Sequence, residues 1–187
     1  NPDYEGGSAV VGKSQDLCRA SGTSFAAPLV AGAASLLRSS RPELSAQQVK
    51  QMLIMSAQDV ETPGWDQFTG SGVLSIQQAV KADPDYFLFA RISEVKAVRK
   101  ENKISIQVLR QASGSSLAKY QLQVGFGARP ADGDWMTVST GEKAVPDGQL
   151  GTLPLTRFNR KGAWTIRLLV TDKQGKSRQA RATLNLN

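Results

Sequence analysis

From Phe25 to Leu37 the chain runs without a charge, and most of these residues are small and apolar; the first charge is Arg38. A helix that is apolar on every side belongs in a domain core rather than on a surface. The segment is therefore predicted to be a helix buried all round. Pro28 fits near its start, where a backbone N–H has no intrahelical partner to lose. Ahead of it, Gly22 permits a tight backbone entry that a residue with a Cβ would resist. Thr23 and Ser24 are hydroxyl residues of the kind that open helices. The sequence thus places Ser24 at a helix start, with its Oγ and N–H at the positive end of the helix dipole. An anion forming beside it would meet N–H donors, as acyl transfer requires. A plain N-cap before an alanine-rich core helix would leave the same Gly-Thr-Ser, so the tripeptide alone does not choose between the two.

The longer run does. Gly22-Thr23-Ser24-Phe25-Ala26-Ala27-Pro28-Leu29-Val30-Ala31-Gly32 resembles the nucleophile segment of subtilisin-like serine proteases, with small residues where that family has them. The resemblance implies that Ser24 is the nucleophile and an oxyanion donor through its backbone N–H. Gly22, Thr23, Ala26, Pro28 and Gly32 are then supporting motif positions. Downstream, Pro42 stops the first helix and Ser45 is an N-cap. Val49, Met52, Leu53 and Ala57 recur at spacings of three and four, which predicts an amphipathic helix over 46–57. A loop over 59–72 and a short helical pattern over 75–81 follow. This order resembles the end of subtilase catalytic domains over about residues 1–82, with the first twenty matching least.

The chain contains no histidine. In the family the triad runs Asp, His, Ser along the chain, and the oxyanion asparagine lies between the His and the Ser. The resemblance therefore implies that His, Asp and Asn come from an upstream segment of the same protein. The start at Asn1-Pro2 gives the same expectation: a C-terminal portion of a longer endopeptidase, inactive by itself, whose substrate is protein or peptide. Lys13 and Lys50, the candidates for a Ser–Lys dyad, read as solvated surface residues. A pseudoprotease carrying a non-catalytic binding or structural module stays open as the alternative.

Composition shifts at Asp83-Pro84-Asp85. Beyond it, short alternating runs cover 87–92, 103–109, 120–124, 135–138, 164–170 and 180–186, punctuated by Gly, Pro, Asp and Ser. That pattern predicts an antiparallel β-sandwich, with 172–175 turning the last hairpin. Tyr120-Gln-Leu-Gln-Val-Gly-Phe-Gly, Trp135, Gly162-Ala-Trp164 and Thr171-Asp resemble immunoglobulin-like or fibronectin-III-like modules, with both tryptophans read as core. The fold class is thus α/β over 1–83, the mostly helical end of a catalytic domain, then an all-β sandwich over 84–187.

Charge divides with it. Residues 1–83 hold 6 Lys and Arg against 8 Asp and Glu, while 84–187 hold 17 against 8, so the basic excess of the +7 chain lies in the second part. Such an excess can attract an anionic surface. Solvated strands with interspersed charge would look the same, and no compact basic cluster with interleaved aromatics appears, so no specific nucleic-acid partner is expected. Cys18 is alone and reads as an inert thiol able to pair with a cysteine elsewhere. With no further Cys or His, no metal and no cofactor are implied. No apolar run is long enough for a transmembrane segment. By analogy the protein is expected to be extracellular, secreted or at the surface of a bacterial cell.

Overall fold

A computed structural model of the chain describes residues 10–11, 17–18, 22–66, 68–100 and 103–186. It divides into two compact units between Pro42 and Glu43.

In the first unit, β1 (Val10–Val11) pairs antiparallel with β2 (Leu17–Cys18). Helix α1 (Thr23–Ser40) follows and ends as Arg41 N–H donates to the Leu37 carbonyl at 2.9 Å, one residue before Pro42. Only Ala33 and Leu37 on it are buried. Phe25 (58 %), Leu29 (66 %), Val30 and Leu36 face solvent. The expectation of a helix buried all round is thus corrected for this chain: the apolar surface is present and is largely uncovered here.

The second unit opens with α2 (Ala46–Ser56), whose start is a full capping box. The Ser45 hydroxyl accepts from Gln48 N–H, and the Gln48 side chain accepts from Ser45 N–H. Val49 and Met52 form its buried face, as their spacing predicts. Helix α3 (Ile76–Lys81) packs against it through buried Ala79. The loop between them is pinned by backbone bonds between Gln58 and Val73 (2.8 Å each way). Within the loop the Asp66 carboxylate accepts from Phe68 N–H, Thr69 N–H and the Thr69 hydroxyl at 2.6–2.9 Å. These bonds, the Thr69 hydroxyl first, hold its pKa below the usual carboxylate value.

Seven antiparallel strands follow: β3 (Leu88–Lys100), β4 (Lys103–Gly114), β5 (Leu117–Phe126), β6 (Met136–Gly141), β7 (Val145–Pro154), β8 (Gly162–Asp172) and β9 (Ser177–Leu186). They form two sheets, ordered β3-β4-β7 and β6-β5-β8-β9. Alternate residues of both sheets meet in one core. Leu88, Ile106 and Val108 come from the first sheet, and Leu122, Ile166, Leu168 and Val170 from the second. Tyr120 on β5 donates its hydroxyl to the Leu150 carbonyl on β7 at 3.2 Å, tying the two sheets together. The β8–β9 hairpin turns where expected. Its Asp172 carboxylate, 2 % exposed, accepts from Gln174 N–H, Lys176 N–H and the Tyr86 hydroxyl. Burial and that bond push Tyr86 up to about 12.

Candidate active site

Ser24 is the second residue of α1, and its N-cap is Gly22, not a hydroxyl side chain. Gly22 has φ 152° and ψ 161° with open space around it. The glycine is required by backbone conformation rather than by crowding. Phe25 N–H donates to the Gly22 carbonyl at 3.0 Å, closing the first turn. The amide of Ser24 lies too near the helix start for an acceptor four residues back in the helix, and it sits at the dipole's positive end. Thr23, Ser24, Ala26, Pro28 and Gly32 are all exposed.

Pro28 departs from expectation. The helix begins at Thr23, which puts Pro28 in the second turn. Its missing N–H deprives the Ser24 carbonyl of the i→i+4 bond it would otherwise receive. Ser24 therefore carries a carbonyl released from the helix ladder as well as an amide outside it. Lys50 is an exposed residue of α2, consistent with a solvated lysine. Lys13 and the side chain of Cys18 lie outside the described residues. Among the described residues no group of His, Cys, Asp and Glu could hold a metal ion, and no helix is long and apolar enough to cross a membrane.

A second constellation sits on the outer face of the larger sheet. Arg167 and Arg181 are direct cross-strand partners on β8 and β9. Their guanidinium carbons lie 4.0 and 5.1 Å from the centre of the Trp135 ring. Gln123 accepts from Arg167 Nε at 2.7 Å and donates to the Thr137 hydroxyl. No carboxylate of the described residues lies within salt-bridge distance of either arginine. Burial lowers both pKa values; Arg181 lowers that of Arg167 further, while Asp132 opposes the shift at both. Sequence reading missed this cluster because its members are far apart in the chain, and Trp135 was expected in the core. It covers the arginines outside the core instead, while Trp164 is core at 5 % exposure.

Residues 8–72 match the model of the subtilase family, Peptidase S8. Over 63 residues the chain is 43% identical to Mycosin-4 of Mycobacterium tuberculosis, a stretch amounting to 34% of this chain and 14% of that protein. The chain thus matches only a small part of the curated relative's length. These similarities support a subtilase-like segment with a protease-related function, and the matched stretch contains the whole Ser24 motif.

Proposed function

We propose that this chain carries the nucleophile of a secreted or cell-surface bacterial serine endopeptidase. In this reading Ser24 Oγ attacks the scissile carbonyl and its proton passes to a histidine oriented by an aspartate. The Ser24 N–H and an asparagine side chain hold the oxyanion. Water then releases the acyl group. The observation that carries the reading is the placement of Ser24 at the second position of α1, behind an obligatory glycine, inside the stretch that matches the subtilase model. Because the 187 residues include no histidine, the base and its partners would come from outside this sequence. The 187-residue chain alone is accordingly expected to leave casein uncut. Cleavage by it, absent from its Ser24→Ala form, would contradict the proposal.

The strands from Leu88 onward would be an immunoglobulin-like or fibronectin-III-like sandwich. The Arg167–Arg181 pair supports an anionic surface as its partner, since two adjacent guanidinium groups with no carboxylate at salt-bridge distance favour an incoming anion. Retention on a sulfated resin should fall in Arg167→Gln and Arg181→Gln variants and stay unchanged in Lys143→Gln. Equal retention of all three would refute it.

A further inference from the structure

The loop between α2 and α3 lies mostly inside the stretch that matches the subtilase model, yet its conformation is set by β9. Gly64 has φ +98°, and a Cβ on it would sit 1.8 Å from the Gln179 carbonyl oxygen. Both conformation and space therefore demand glycine. The next residue, Trp65, forms a parallel bridge with Ala180, on the edge of β9 that β8 leaves free. The loop amide of Gly64 is fixed in turn by the Asp59 carboxylate at 2.7 Å.

A second tie lies two residues earlier on β9. Arg178 reaches from β9 to donate to the Met55 carbonyl, in the last turn of α2, at 2.6 Å. A helix-end carbonyl lacks an intrahelical donor, so this side chain supplies one that the helix cannot. Leu88 N–H, at the start of β3, donates to the Met55 sulfur at 3.3 Å. Gln48, in the first turn of α2, donates to Asp85 at 2.9 Å. Loop, helix and strand edge are joined by contacts far apart in sequence, and the edge of β9 is partly covered by the loop instead of standing open.

We propose that the strands from Leu88 onward are a built-in brace for the 43–72 part of the stretch that matches the subtilase model: β9 holds the 58–73 loop and the end of α2, so that the three open and close together. A module that served only as a tether would need no glycine in the loop shaped to its backbone. The proposal does not depend on Ser24 being a nucleophile. Its test is amide hydrogen exchange on the 187-residue chain carrying Gly64→Ala or, separately, Arg178→Met. The expected result for either variant is exchange about tenfold faster or more, simultaneously in 53–57, in the 58–73 loop and in 178–181, with β5 unchanged, the pattern of one cooperative unit. Arg178→Met keeps the apolar stem and decides the matter if Gly64→Ala does not fold. Faster exchange confined to the substituted element, with the other two unmoved, would overturn the brace.

Discussion

Replacing Ser24 with alanine in the full-length protein is expected to lower kcat by about 10⁶-fold, the scale on which subtilisin loses turnover without its nucleophile. Folding should survive the change. Ser24 is exposed on α1, alanine is the strongest helix former, and substitutions at exposed positions away from special geometry usually shift stability by less than about 0.5 kcal/mol. Peptide hydrolysis and thermal unfolding, measured together, separate the two effects. Loss of turnover with an unchanged Tm is the expected pair of results. Retention of more than about a hundredth of the activity would remove Ser24 from the mechanism, since subtilisin without its nucleophile keeps only about a millionth of its turnover.

The largest effect on stability is expected at Trp164. It is 5 % exposed and meets Phe126 and Phe158 edge-on at centroid distances of 5.3 Å each. Its indole N–H donates to the Arg160 carbonyl at 2.9 Å. Truncation to alanine removes the ring, both aromatic contacts and that bond, at a cost of about 4 kcal/mol. For a unit of this size the Tm should fall by roughly 10 °C, read by circular dichroism in the strand region. A fall of less than about 3 °C would mean that the aromatic cluster is peripheral to the core.

Much of the helical part was legible because its signals are local. Ser45 and the three-and-four spacing from Val49 give α2 almost to the residue, and the uncharged run gives α1. The exact entry of α1 was not legible. Thr23 and Ser24 look like caps, but Gly22 takes that position with a backbone conformation that leaves the hydroxyls free of the capping role. Most strands were also readable by alternation, although β3 and β4 run well past the segments that alternate most clearly. Strand β7 was not readable: Val145-Pro-Asp-Gly-Gln-Leu-Gly reads as a turn. It forms a strand because it is an edge, paired only with β4, where a proline forfeits no needed ladder bond.

What sequence could not convey is long-range. Nothing in Pro63-Gly64-Trp65 announces that a strand more than a hundred residues later will lie against Gly64. Likewise, nothing in Arg167 or Arg181 announces that they stand side by side beneath Trp135. The first depends on which edge of the sheet the loop meets, and the second on Trp135 lying over the outer face of the β8–β9 hairpin, neither of which alternation determines. Ser24 is different, because a nucleophile motif is short, continuous and tied to one local geometry. That is why a candidate residue can be named by number from sequence while the surfaces around it cannot.

The most direct test of the central claim is labelling of the full-length protein with a fluorophosphonate, with the adduct located by mass spectrometry. An adduct on the peptide carrying Ser24 is the expected result, since only a serine activated by a working base reacts at a useful rate. A folded full-length protein that carries no adduct there, or carries it on another serine, would contradict the assignment of Ser24 as the nucleophile.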